Sequence, residues 1–258
     1  MTATIGMLRV ITRIVVLPRA FRLGIAALGV AFALAGAARA EGAEGVGPAE
    51  SLAPHLLLIH GGAFLFEDPN FEAATRQAAL NAGFVPHYLR YPLGDLGGAV
   101  RAARAEARRL GALYPGRLYA YGSSAGGTLA SLLAGDGMVR AAVAKAPPSD
   151  LVGWEWPLAA YGEDYFERIG ADPATRQRLS PLHRPARRPL LLIHGRYDAV
   201  VPAAMSEAFA AKFRRVGLWV VGGGHHAERR RPQILERGLA WLAGVEDREL
   251  AASLQQDE

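Results

Sequence analysis

Apolar positions follow two rhythms along this chain. Continuous apolar runs of strand length, such as His55-Leu56-Leu57-Leu58-Ile59, read as strands buried on both faces. Between them lie longer stretches whose apolar residues recur at helical spacing, as in residues 233–242, where Ile234, Leu235, Leu239 and Leu242 share one face. The pattern predicts strands at 55–59, 84–89, 118–121, 139–144, 189–193 and 218–221. Helices are expected at 71–81, 97–113, 203–215 and 233–242, with another after Gly126. Alternation of this kind belongs to the α/β class, a mostly parallel sheet of about six strands with helices on both faces. In such sheets, ligands bind beyond the carboxyl ends of the strands.

Residues 147–188 interrupt the alternation. They hold Trp154, Trp156, Tyr161, Tyr165 and Phe166, more aromatic surface than a short connector needs. This small lid-like insertion is expected to form either a helical subdomain with its own mini-core or a wall of the substrate pocket. Trp154, Trp156 and Tyr161 are its candidate pocket residues. The alternating region spans 55–243 as one catalytic domain. Residues 41–54, rich in Gly, Ala and Glu, read as a linker, and 244–258 as a polar C-terminal tail.

The first 40 residues differ in kind, with Arg9, Arg13, Arg19, Arg22 and Arg39 and no acidic residue. An apolar stretch over 23–37 leads to Ala38-Arg39-Ala40, the small-x-small pattern that precedes signal cleavage. Residues 1–40 therefore read as a signal peptide cut before Glu41, which implies a periplasmic or extracellular protein. The apolar stretch falls short of the ~20 residues that cross a bilayer, so membrane contact is expected only through this segment if uncleaved.

Composition changes the picture in two places. The 258 residues, 51% hydrophobic, suffice for one sizeable core. The charge of +5 and pI near 9.8 arise in the leader: without its five arginines, 24 basic residues face 24 acidic ones. No nucleic-acid surface is implied, and Arg229-Arg230-Arg231, the one basic triplet, reads as a solvated helix start. Zero cysteine excludes thiol catalysis and thiolate metal sites. The histidines show no metal-ligand spacing, and the Gly-rich segments lack a P-loop lysine, so neither metal nor cofactor is expected.

The chemistry is carried by short pieces that each follow a predicted strand. Gly122-Ser123-Ser124-Ala125-Gly126 reads Gly-x-Ser-x-Gly between a strand-like and a helix-like run, the setting of a nucleophile elbow with Ser124 at its centre. A serine nucleophile needs a base, an orienting acid and donors for the oxyanion. After the last strand, Gly222-Gly223-Gly224 lets a loop fold back and presents His225 as the base, ahead of its neighbour His226. Asp198 follows the strand at 189–193 and is the candidate acid. Asp150 competes, though a turn or cap role suits it better, and Glu228 lies too close to His225 in sequence to orient it easily. His60-Gly61-Gly62-Ala63 follows the first strand, and the N–H groups of Gly62, Ala63 and Ala125 are the candidate oxyanion donors. His60 and His194, each ending a strand before a glycine, read as anchors for their loops.

On these motifs the chain resembles the α/β-hydrolase superfamily over about residues 55–243. It is most similar to small carboxylesterases with an HGG oxyanion loop, a neighbourhood of hormone-sensitive-lipase-like esterases, arylformamidases and bacterial feruloyl-esterase-type domains. The resemblance implies a serine esterase acting on a small-molecule ester through an acyl-enzyme, which the leader would make an exported one. Ser124, Asp198 and His225 would be the triad, and Gly62, Ala63 and Ala125 the oxyanion hole. Ala63 stands where many relatives have a third glycine, and Ser123 where hormone-sensitive-lipase relatives usually have an acidic residue. Two strands that usually precede the first are not visible before His55. An amide- or peptide-bond hydrolase with the same triad, prolyl-oligopeptidase-like or arylformamidase-like, is the alternative. A non-catalytic binding member of the fold is a third. Oligomeric state and acyl specificity are not written in these motifs.

Overall fold

Six strands form one sheet: β1 (His55–Ile59), β2 (Val85–Leu89), β3 (Leu118–Ser123), β4 (Ala142–Lys145), β5 (Leu190–Gly195) and β6 (Val216–Val221). Their order is β2-β1-β3-β4-β5-β6, and every neighbouring pair is parallel. The computed structural model describes residues 52–68, 70–225, 227 and 231–245, all within one compact unit. The expected signal peptide, nearly all of the linker, the tail beyond Val245, His226, Glu228 and two arginines of the basic triplet lie outside the described residues.

Parallel strands need crossover helices, and these cover both faces. The helices are α1 (Phe71–Asn81), α2 (Leu96–Leu113), α3 (Ala125–Asp136), α4 (Trp156–Tyr161), α5 (Tyr165–Arg168), α6 (Pro173–Leu179), α7 (Ala203–Lys212) and α8 (Gln233–Ala243). Because strand side chains alternate, β1 feeds two cores. Leu57 and Ile59 join α2, α3 and α7 in one apolar cluster, while Leu56 and Leu58 join α1 and α8 in the other.

Several boundaries differ from the sequence pattern: β3 and β5 each run two residues further than expected, and the starts of β4 and β6 and the end of α7 also move. β4 starts at Ala142, since residues 139 and 140 bend, although Arg140 N–H already reaches β3 at Leu118 O, 2.7 Å away. α7 stops at Lys212, where Phe213 turns extended, and β6 begins earlier, at Val216. The insertion forms no mini-core of its own: Trp154, Tyr165 and Phe166 are buried in the same cluster as α2 and α3. No helix among the described residues is long and apolar enough to cross a membrane.

Candidate active site

The site is assembled from loops at the carboxyl ends of β1, β3, β5 and β6. β3 ends at Ser123, and α3 starts at Ala125 with no intervening loop, so Ser124 carries the whole reversal at φ 53° and ψ −119°. A non-glycine residue in that region costs on the order of 1–3 kcal/mol. The flanking glycines are required by space. A Cβ at Gly122 would lie 2.1 Å from Gly126 O, and one at Gly126 would lie 2.1 Å from Ile59 O. The strained hydroxyl is thereby held above the sheet.

His225 reaches it from the loop after β6, with Nε2 2.9 Å from Ser124 Oγ and Nδ1 2.7 Å from Asp198 Oδ2. The carboxylate can only accept, so Nδ1 carries the proton and Nε2 is free to accept the serine O–H. Asp198, with a fully buried side chain, has donors on both oxygens. Val200 and Val201 N–H each donate to Oδ1 at 2.9 Å, and His194 Nε2 lies 3.3 Å from Oδ2. Burial alone would raise its pKa, but hydrogen bonds from His194 and His225, with Val201 N–H, outweigh it and hold the carboxyl well below the usual range. Asp198 thus stays ionised beside the imidazole.

The turn after β1 lies against the elbow: a Cβ at Gly61 would meet Ser124 Cβ at 3.2 Å. Gly62 has φ 111°, and a Cβ there would collide with Phe66 O at 2.0 Å, so this turn needs glycine. Ala63 and Phe64 follow in the left-handed region, at φ 52° and 60°. The turn's carbonyls are engaged away from the site. His60 O accepts from Tyr91 OH at 3.0 Å, Ala63 O from Tyr165 OH at 2.8 Å, and Phe64 O from Gly94 N–H at 2.8 Å. Ser124 N–H is spent on Lys145 O at 2.8 Å, whereas Ala125 opens α3, where first-turn N–H groups have no helical acceptor. The helix dipole adds about 0.3–1 kcal/mol for negative charge at that end.

His60 and His194 sit as loop anchors. His60 stacks on Tyr91 with ring centroids 4.3 Å apart, places Nδ1 2.6 Å from Gly61 O, and has its pKa lowered chiefly by burial. His194 lies between Ser206 Oγ, 2.7 Å from Nδ1, and Val201 O, 2.8 Å from Nε2. Its further contact with Asp198 is one that sequence spacing did not single out. Lys145 is another: 2% exposed, it donates from Nζ to the carbonyl of His225. A charge ending an apolar strand, in a chain with two lysines, was the available signal. Asp150 lies in a turn, accepting from Val152 N–H at 3.0 Å.

The aromatic insertion divides. Trp154, expected along the pocket, is instead 1% exposed, with Nε1–H donated to Val200 O at 2.8 Å, so it packs the core. Trp156 and Tyr161 are half-buried and edge-to-face at 5.4 Å, and Tyr161 reaches the exposed Phe66 at 5.8 Å.

A strained serine served by an imidazole and an acid from neighbouring strand ends of a parallel sheet defines a serine hydrolase of the α/β-hydrolase fold. Residues 96–245 match the prolyl oligopeptidase family, and the chain belongs to it. No curated protein matches the sequence. Among solved structures, the chain is similar to an acetyl ester-xyloside bifunctional hydrolase from Caldicellulosiruptor lactoaceticus (18% identity, TM-score 0.65, 75% of this chain and 83% of the other). It is also similar to a hyperthermophilic esterase from Pyrobaculum calidifontis (19%, 0.62, 75% and 77%). A third is Thermogutta terrifontis esterase 2 phosphonylated by sarin (21%, 0.61, 75% and 83%). At these identities the likeness is one of fold.

Proposed function

We propose that this protein hydrolyses carboxylic esters through an acyl-enzyme on Ser124. The observation that carries the reading is the unbroken line from Ser124 Oγ through His225 to Asp198, at 2.9 and 2.7 Å. Ser124 Oγ attacks the carbonyl carbon while His225 Nε2 takes its proton, and Asp198 stabilises the imidazolium. The oxyanion is received by N–H groups of Gly62, Ala63 and Ala125, where losing one donor typically costs ~10²–10³ in rate. His225 then protonates the leaving oxygen, and water, activated by the same imidazole, releases the acid. Trp156 and Tyr161 wall the acyl side. The protein works outside the cytoplasm after cleavage before Glu41, a reading supported by the leader's arginines and its Ala-x-Ala site; N-terminal sequencing of exported protein tests it.

Peptide- or amide-bond cleavage is the second reading, favoured by the match to the prolyl oligopeptidase family over 96–245. Esters are preferred here because two of the solved structures similar in fold are esterases by name and the third is an acetyl ester-xyloside hydrolase. A panel of p-nitrophenyl esters beside the matching p-nitroanilides decides between them. Ester hydrolysis with kcat/KM well above that for anilides is expected, and the reverse order overturns the ester reading.

A further inference from the structure

A cavity of about 310 Å3 lies behind the elbow, on the α1/α8 side of the sheet. Phe71, Ala74 and Leu235 give it apolar walls, and Asp68, Asn70 and Ser123 add polar ones. Each wall adjoins a reacting segment. Ser123 precedes the nucleophile, Asp68 to Ala74 continue from the oxyanion turn, and Leu235 lies on α8, which follows the His225 loop. A larger hollow of about 630 Å3 between α1 and α8 shares Ala74 and Leu235 with it and continues away from the site. Trp156 and Tyr161 pack against the other apolar cluster, across the sheet.

An ester has two arms, and the two faces of the sheet offer a place for each. His225 must hand its proton to the leaving oxygen, so that oxygen lies on the His225 side of the carbonyl. Ala227, two residues beyond His225, packs in the same apolar cluster as Phe71, Tyr121 and Leu235, which line the cavity. Building on the ester reading above, we propose that this cavity receives the leaving alcohol, and that the preferred alcohol is a mostly apolar group of ring size. The volume is at the lower end of small-ligand sites, roughly 300–1,000 Å3, enough for one ring and its substituents.

The test compares two ester series on wild type and two variants. Ala74 is exposed on α1, so Ala74→Trp narrows the cavity without displacing the core. Leu235→Ala enlarges it. In Ala74→Trp, kcat/KM for benzyl acetate relative to methyl acetate should fall by about 10-fold or more, the scale of one lost apolar subsite. The ratio of methyl octanoate to methyl acetate should stay unchanged. Leu235→Ala should raise naphthylmethyl acetate relative to benzyl acetate. An unchanged alcohol ranking in both variants overturns the proposal, as does a fall confined to the octanoate ratio, which would give the cavity to the acyl arm. Wild type inactive on every ester overturns the ester reading itself, so the two failures are distinguished by wild type alone.

Discussion

At Ser124, an unfavourable backbone is tolerated because everything around it is over-determined. Its N–H is held by Lys145 O, its hydroxyl by His225, and its neighbours by contacts that admit no Cβ at Gly122 or Gly126. Asp198 shows the same economy, since four donors surround a carboxylate that would otherwise be costly to bury. Asp198→Asn should therefore keep the fold yet lower kcat by roughly 10⁴, the scale for an imidazole left in the wrong tautomer. A loss under tenfold, measured with unchanged circular dichroism, would remove Asp198 from the mechanism. The elbow, Asp198 and His225 are legible in the sequence because each sits just past an apolar run, and their spacing follows from the topology. His194 on Asp198 and Lys145 on the His225 loop are not legible. Those contacts depend on how two loops meet in space, and a lone histidine or lysine carries no spacing to reveal it.

Helices and strands owe their positions to burial patterns, and departures occur where burial is decided by tertiary contacts. Residues 139–144 read as one strand in the sequence, but register pairing begins only at Ala142, opposite Ala120 and Leu190. The insertion's aromatic residues show the limit of composition: five rings announce a packed segment without saying which of them faces substrate. Trp154→Ala should cost about 3–5 kcal/mol of stability with the ester ranking unchanged, as for a buried large-to-small change. Trp156→Ala should instead alter the acyl ranking by about 1–3 kcal/mol. Chemical denaturation and kcat/KM on an acyl series separate the two, and interchanged effects would contradict this division of roles. At the opposite edge of the sheet, His55 Nδ1 lies 2.8 Å from His87 Nε2, and His55 stacks on Tyr114 at 3.4 Å. Burial, reinforced by His55 and Arg109, lowers the His87 pKa from 6.5 to about 4. The unfolded chain then takes up this proton first, so stability is level above pH 6.5 and falls from there towards pH 4. Urea midpoints across that window should fall less steeply for His87→Phe than for wild type, and equal slopes would remove the pair as a cause.

For the molecule as a whole, the sheet sets the chemistry by bringing its carboxyl ends together. β1 and β3 pair in register from His55 with Leu118 to Ile59 with Gly122, which brings the turn after β1 beside the elbow. β5 and β6 pair from Leu190 with Val216 to Gly195 with Val221, which brings the Asp198 and His225 loops together. This global order is legible in the alternation of elements, whereas the cavity behind the elbow is not, since α1 and α8 are far apart in sequence. Hydrolysis by this route passes through a covalent acyl-enzyme on Ser124, which mass spectrometry of peptides from protein acid-quenched during turnover of p-nitrophenyl acetate detects. One acetyl group is expected on the peptide holding Ser124, retained in Ser123→Ala and lost in Ser124→Ala. Turnover with no acetyl group on that peptide, or an adduct that persists in Ser124→Ala, would contradict it.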